Sequence, residues 1–135
     1  DPEGNEFCVL DSRAVYADAG VVAAIVVDSL EPPALAPFWV AATGWPIGRQ
    51  AKAAVMLRDP DAAGPWLEFV RVDEAKRGKN RLHLDVAPFV GDDHGAEVVR
   101  LRALGATPAD VGQGEVTWVV VADPEGNEFC VLSPR

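Results

Sequence analysis

Hydrophobic residues in the first half of the chain change from a strand pattern to a helix pattern and back again. Residues 21–27 are all apolar and rich in valine, which predicts a buried strand. Residues 32–43 mix apolar and small side chains and are followed by Gly44, which predicts a helix that ends at that glycine. Three further strands are predicted at residues 47–49, 53–57 and 66–72.

The second half repeats this order after a charged connector at residues 73–79. Residues 80–86 predict a strand, and residues 93–104 predict a helix that ends at Gly105. Four apolar side chains of this helix are predicted to face the core: Val98, Val99, Leu101 and Leu104. A type I turn is predicted at residues 123–126, between strands at residues 107–111, 115–122 and 127–132. The pattern therefore predicts a single domain at residues 21–135, built from two βαβββ modules at residues 21–72 and 80–132.

Ten residues, DPEGNEFCVL, occur twice, at residues 1–10 and 123–132. Only the second copy is preceded by the rest of a module, so the first copy predicts a remnant closing strand of a preceding repeat domain, with residues 6–10 extended. Residues 11–20 are small and polar and predict a linker.

Composition and charge exclude several classes of partner. The chain has 135 residues, of which 49% are hydrophobic, and this predicts a globular domain. The net charge of −9, without a basic stripe, argues against nucleic acid as a partner. No apolar run is long enough to cross a bilayer, so no membrane association is expected. The two cysteines occupy the same position of the two copies, which is unlike a disulfide framework and predicts a cytoplasmic protein.

Three short motifs give the chain a family resemblance. They are Phe-Trp on the first helix, Leu-Gly-Ala-Thr after the second, and Asp-Pro-Glu-Gly-Asn-Glu-Phe before the last strand. With two βαβββ modules, they resemble the vicinal oxygen chelate superfamily, which includes glyoxalases, bleomycin-resistance proteins and dioxygenases, and within it the glyoxalase-like domain proteins. The resemblance implies an α+β fold in which the two modules form a cupped, mostly antiparallel, barrel-like sheet with the helices outside.

The resemblance also implies where a metal would be held. In metal-dependent members each module supplies one ligand from its first strand and one from its last, and the matching positions here are Val22, Glu68, His83 and Cys130. Glu68 and His83 are therefore the candidate catalytic and metal-binding residues, for Zn, Ni, Mn or Fe. Val22 cannot bind a metal, and Cys130 replaces the glutamate that the family usually carries.

Strand alternation places other candidate residues in the cup. The polar residues of the strand at 80–86 occupy every second position: Arg81, His83 and Asp85. The residues between them are predicted to face the helices: Leu82, Leu84 and Val86. A neutral imidazole at His83, with Asp85 nearby, is a candidate general base. By the same alternation the predicted ligand-binding residues are Trp66, Asp85, Trp118, Glu128 and Cys130.

Three functions fit these residues. The first is a metal-free domain that binds a small molecule in an apolar, tryptophan-bearing cup, with no certain cofactor. The alternatives are a metal-dependent lyase or dioxygenase of the vicinal oxygen chelate type, and a non-catalytic half of a tandem protein, whose concave face would be blocked by side chains. The expected assembly is a homodimer or a pair with a tandem domain, and the N-terminal copy could exchange into the closing-strand position of a neighbour.

Overall fold

The computed structural model describes residues 1–61 and 64–135. A short 3₁₀ helix (Ala14–Tyr16) precedes the first module. The first module consists of β1 (Ala24–Ser29), α1 (Pro32–Thr43), β2 (Ile47–Ala51), β3 (Ala54–Leu57) and β4 (Trp66–Arg71). The second consists of β5 (Leu84–Val86), α2 (His94–Ala103), β6 (Thr107–Pro108), β7 (Val119–Ala122) and β8 (Glu128–Val131). The two predicted βαβββ modules are confirmed.

Each module forms a four-stranded mixed sheet with the same topology. The strand orders are β1-β4-β3-β2 and β5-β8-β7-β6. In each sheet the first strand pairs in parallel with the last, and the other two pairs are antiparallel. The α+β fold with mostly antiparallel, cupped sheets is therefore also confirmed.

Helix α1 has the boundaries that its sequence predicts. Two prolines, Pro32 and Pro33, stand at its start, where a missing backbone N–H costs nothing. Gly44 ends it with a left-handed φ of 74°, a conformation that other residues rarely adopt. The helix continues through Pro37, because its buried side chains hold it against the sheets.

The core is an aromatic cluster that joins the two modules. Trp39 of α1 lies 6.1 Å from Phe69 of β4 and 5.1 Å from Phe129 of β8, between ring centroids. Phe38 contacts Phe129 edge-on at 5.8 Å. A helix of the first module thus packs on strands of both sheets, and this apolar burial holds them together.

The turn before β8 makes a second, polar connection between the modules. The buried carboxylate of Asp123 accepts a hydrogen bond from Trp39 Nε1 at 2.9 Å. Glu125 accepts hydrogen bonds from the backbone N–H groups of Leu30 and Glu31 and from the Ser29 hydroxyl. A carboxylate from the second module therefore caps the start of α1, where backbone donors lack partners in the helix.

Several predicted strands are shorter than their apolar patterns. The strand predicted at residues 80–86 contains only 84–86, because the Asn80 N–H donates to the Glu128 carboxylate. The strand predicted at 107–111 ends at Pro108, and that predicted at 115–122 begins at Val119. The strand predicted at residues 6–10 is wrong, because within residues 1–61 and 64–135 these residues pair with no other strand.

Three predictions of side-chain direction are also wrong. Val99 is 68% exposed and Leu104 is 43% exposed, because α2 buries only a narrow stripe around Leu101. Leu82 is 78% exposed, since the chain has not yet entered β5 at that point.

The predicted first-strand ligand position also has to be corrected. Val22 lies before β1, and the strand register instead makes Ala24 the equivalent of His83. Val22 and Ala24 are both apolar, so neither of them can bind a metal. None of the helices in the described ranges has the length and apolar character that crossing a membrane requires.

Candidate functional site

Strand alternation gives each sheet a face that lies opposite the core. In β4, Leu67 and Phe69 are buried in the core, so Trp66 and Glu68 occupy the other face. We define the first-module face by five residues: Val26, Met56, Arg58, Trp66 and Glu68. The second-module face is defined in the same way by Asp85, Val120, Glu128 and Cys130. All the predicted site residues except His83 and Trp118, which lie just before β5 and β7, belong to these two faces.

Glu68 is half-buried at the centre of the first-module face. Its backbone lies between Val26 of β1 and Met56 of β3. Its carboxylate accepts a hydrogen bond from the Tyr16 hydroxyl at 2.8 Å. Burial raises the pKa of Tyr16, and the hydrogen bond to Glu68 and the negative charge of Glu68 raise it further. Residues 11–20, which were predicted to be a linker, therefore contact the first-module face through Tyr16.

A second contact ties the same segment to Arg58. The Arg58 guanidinium donates to the Asp18 carboxylate at 2.8 Å and to the Asp18 backbone carbonyl at 2.9 Å. It also lies 5.1 Å from the ring centroid of Trp66, a cation–π distance. Both side chains are buried, Arg58 at 7% and Trp66 at 8% exposed. The predicted ligand-binding Trp66 is therefore covered by protein.

Glu128 anchors the second-module face to the connector between the modules. It accepts hydrogen bonds from Lys76 Nζ at 2.8 Å and from the Asn80 N–H at 3.1 Å. Burial by itself raises the pKa of Glu128. The hydrogen bonds from Lys76, from Asn80 and from its own backbone N–H, together with the charge of Lys76, outweigh burial and hold that pKa below its usual range. The carboxylate is therefore charged and held in place.

Cys130 and Asp85 are direct neighbours across the β5–β8 pair. Burial raises the pKa of the Cys130 thiol to about 11, and the Asp85 carboxylate contributes through a hydrogen bond and its charge. A thiol with this pKa is protonated near neutral pH and is therefore a poor nucleophile. Asp85 itself is exposed.

His83 and Trp118 stand at the edges of the second module. His83 Nε2 lies 3.2 Å from the Asn80 carbonyl oxygen, a hydrogen bond that the ring nitrogen donates to the backbone. Trp118 is 38% exposed in the bend before β7, and its ring is therefore more accessible than that of Trp66.

A cavity of about 690 Å³ lies between the two modules. Its walls come from β1, from the connector and from the start of β5 and β8. Glu128 is the one predicted site residue among its described lining residues. Asp85 instead lines a smaller cavity of about 350 Å³ beside the end of α1.

The residues that the family resemblance assigns to a metal do not fit a metal centre. His83 donates to the Asn80 carbonyl, Glu68 accepts from Tyr16, and Cys130 is buried. In residues 1–61 and 64–135, no three side chains of His, Cys, Asp or Glu cluster as a metal ion requires.

Sequence reasoning missed the residues that hold the site together. No sequence pattern indicated the contacts of Tyr16, Asp18 and Arg58, because the partner of each lies 40 or more positions away in the chain. Arg81 was placed on the concave side by alternation, but its partners were unexpected. They are Glu6 at 2.6 Å, the Asn5 side chain and the Gly4 carbonyl, all from the N-terminal copy of the repeat.

The chain matches one protein family over most of its length. The profile of that family, described as the glyoxalase-like domain, matches residues 24–132. No curated protein is significantly similar to the chain.

Solved structures have the same fold at low sequence identity. A glyoxalase/bleomycin resistance protein/dioxygenase family enzyme from Burkholderia phytofirmans PsJN has a TM-score of 0.68 and 14% identity, over 84% of this chain and 98% of that chain. A possible glyoxalase from Bacillus cereus has a TM-score of 0.61 and 19% identity, over 84% and 99%. A bleomycin-binding protein from bleomycin-producing Streptomyces verticillus, complexed with copper(II)-bleomycin, has a TM-score of 0.56 and 18% identity, over 86% and 98%. Together with the family match, these structures confirm the predicted superfamily fold.

Proposed function

The chain belongs to the glyoxalase-like domain family, and from that premise we propose that it binds a small organic molecule in the cavity between its two modules without a bound metal. The observation that carries the proposal is the cavity itself. Its volume of about 690 Å³ is within the range of small-molecule sites. A similar fold in Streptomyces verticillus binds copper(II)-bleomycin, so the fold is compatible with a binding role.

The lining of the cavity defines the ligand by its chemistry. Apolar side chains from β1 and β5 form one part of the wall, among them Val26 and Leu84. Five described lining residues are acidic: Glu6, Asp28, Glu74, Glu125 and Glu128. Only two are basic, Lys76 and Arg81, and each is paired with a glutamate. This excess of carboxylates favours an apolar ligand that carries a positive charge.

The predicted site residues take different parts in this proposal. Glu128 contacts the ligand directly, because it lines the cavity and is held charged by Lys76. Asp85 and Cys130 belong to the second-module face and Trp118 lies just before β7, but none of the three is among the described lining residues of the cavity. His83 positions the start of β5 through its bond to Asn80 and carries no proton-transfer step.

A pair of matched variants tests the cavity. Val26→Trp fills it, whereas Val99→Trp adds the same ring at an exposed position on α2. We expect bleomycin, with and without copper(II), and a panel of apolar amines to raise the melting temperature of the wild type. Val26→Trp should weaken binding about ten-fold or more, which is about 1.4 kcal/mol. The proposal is wrong if no compound binds or if both variants bind like the wild type.

A metal-dependent lyase or dioxygenase is the competing function, and it makes an opposite prediction. With Glu68 and His83 as ligands, added Zn, Ni, Mn or Fe(II) would raise the melting temperature, and His83→Ala would abolish that rise. We expect no rise in either protein, because His83 and Glu68 are each bonded to other groups. A metal-induced rise that His83→Ala removes would replace the binding proposal with this one.

The proposed assembly is a homodimer or a tandem pair in the cytoplasm, where the two unpaired cysteines remain reduced. The N-terminal copy supports pairing, because Phe7 and Val9 are 72% and 89% exposed. Residues 6–10 have the same sequence as β8, so they can take its place in a neighbouring domain. Sedimentation of the wild type and of a Phe7→Asp/Val9→Asp variant tests this. We expect the variant to be more monomeric, and unchanged association would rule out strand exchange.

A further inference from the structure

The first-module face carries a second candidate site, which shares only Val26 with the described lining of the cavity. Among the described residues, neither Glu68 nor Arg58 lines that cavity. Both side chains are instead occupied by the segment at residues 14–18. We propose that Glu68 and Arg58 form a binding site for a hydroxy-substituted aromatic carboxylate, which residues 14–18 occupy as an intramolecular competitor.

The strand register brings the two anchoring side chains together. Met56 of β3 is directly opposite Glu68 of β4. Arg58 follows Met56 by two residues and therefore lies on the same face, next to Trp66. Diagonal neighbours on antiparallel strands are about 7–8 Å apart, so one small rigid molecule can reach both groups.

The side chains of the segment show which groups the site accepts. At Glu68 the occupant is a phenol, since Tyr16 donates its hydroxyl hydrogen to the carboxylate at 2.8 Å. At Arg58 the occupant is a carboxylate, since Asp18 accepts from the guanidinium at 2.8 Å. Arg58 is 7% exposed, so this is a buried cation with a matched anion. A ligand with a hydroxyl at one end and a carboxylate at the other reproduces both contacts.

The segment is held weakly enough for a ligand to displace it. Its 3₁₀ helix has three residues, none of which is buried, and the residue before it makes no side-chain capping bond. The Asp18 side chain is 69% exposed, so a ligand carboxylate can approach Arg58 from the side that Asp18 covers. Glu68 and Arg58, in contrast, are fixed by the strands and by Trp66.

An opened variant tests the competition directly. Tyr16→Ala/Asp18→Ala removes both occupying groups, and Phe7→Ala is the control, since it shortens an exposed aromatic side chain in the same N-terminal region. Titration calorimetry with 4-hydroxybenzoate should give about ten-fold tighter binding to the opened variant than to the wild type, because no closed fraction competes. The control should bind like the wild type.

Two altered probes and two further variants test the anchors. In the opened protein, 4-methoxybenzoate cannot donate to Glu68, and 4-hydroxybenzamide has no charge for Arg58. Both should bind about ten-fold more weakly than 4-hydroxybenzoate. Adding Glu68→Gln should reduce the preference for the hydroxyl, and adding Arg58→Lys should reduce the preference for the carboxylate. Equal binding of all three probes would overturn the site, as would an opened variant that binds no better than the control.

A measurement on the wild type covers the case in which the opened variant does not fold. Saturating 4-hydroxybenzoate should increase amide hydrogen exchange in residues 14–18, because the ligand releases the segment. Unchanged exchange would contradict the proposal. Leu82→Trp separates this site from the cavity, because Leu82 lines the cavity and does not belong to the first-module face. It should leave 4-hydroxybenzoate binding intact, and loss of binding in that variant would place the probe in the cavity and overturn the second site.

Discussion

The two copies of DPEGNEFCVL place one sequence in two environments. The first five residues form the same turn in both. Asp1 Oδ1 accepts from the N–H groups of Glu3 and Asn5 at 2.9 Å. Asp123 Oδ1 accepts from the equivalent groups, at 2.9 and 3.0 Å. Gly4 and Gly126 have φ values of 82° and 88°, which glycine adopts without strain.

The last five residues differ completely between the copies. In the second copy they contain β8, which lies between β5 and β7, and Phe129 and Val131 are fully buried. In the first copy Phe7 is 72% exposed and Val9 is 89% exposed, and no strand forms. The sequence therefore encodes the turn locally, because an Asp side chain closes it, whereas the strand forms only where partner strands supply hydrogen bonds and a core.

The largest difference between the copies is expected at the phenylalanine. Phe129→Ala removes a ring that contacts Trp39 and Phe38, so the free energy of unfolding should fall by about 3–5 kcal/mol. Phe7→Ala should change stability by less than about 0.5 kcal/mol. Urea unfolding of both variants measures this. A similar loss in both would mean that the N-terminal copy is packed like β8.

The next largest difference is expected at the aspartate that closes the turn. Asp123→Ala leaves the buried Trp39 Nε1–H without its acceptor, which costs about 1–3 kcal/mol, and it also opens the turn. Asp1→Ala opens only the exposed turn and should cost about 0.5 kcal/mol or less. Thermal unfolding of the wild type and of the two variants measures the two losses of stability. Equal effects would show that the link between the modules contributes nothing.

The smallest difference is expected at the two thiols and depends on pH. The pKa of Cys130 is raised from 9.0 to about 11 in the folded protein. The folded state therefore keeps this proton longer than the unfolded state. The stabilisation of the folded state by the protonated Cys130 thiol is fully present below about pH 9 and is lost as the pH rises through about 11.

Alanine variants isolate this contribution. Urea midpoints between pH 9 and about 11 should fall more steeply for the wild type and Cys8→Ala than for Cys130→Ala. Cys8 is exposed and serves as the matched control. Parallel curves for all three proteins would contradict the buried, protonated thiol.

The elements predicted from the sequence agree with the structure where the local residue pattern and the tertiary packing favour the same element. Residues 32–43 are the observed helix because prolines start it, Gly44 ends it and its apolar side chains fit the core. Strand lengths were predicted less well. Residues 80–83 have a strand pattern, yet they pair with no neighbouring strand, and the Asn80 N–H donates to the Glu128 carboxylate.

The candidate site was predicted only in part. Alternation correctly placed Trp66 and Glu68 on one face, and Glu128 and Cys130 on another. It did not reveal that Tyr16 and Asp18 cover the first of these faces, because the contacts of a linker leave no periodic signal. The segment at residues 14–18 covers Glu68 and Arg58 on this face, while the described lining of the cavity between the modules includes none of its residues.

By itself the sequence determined the two modules, the helix ends and the turn at each DPEGN, because all of these depend on residues within a few positions. Only the tertiary structure decided which copy of the repeat becomes a strand, which carboxylates have hydrogen-bond partners distant in the chain, and which face is covered. Those outcomes depend on burial and on partners distant in the chain, as Trp39 and Asp123 show, and one sequence can therefore be a core strand at residue 129 and an exposed segment at residue 7.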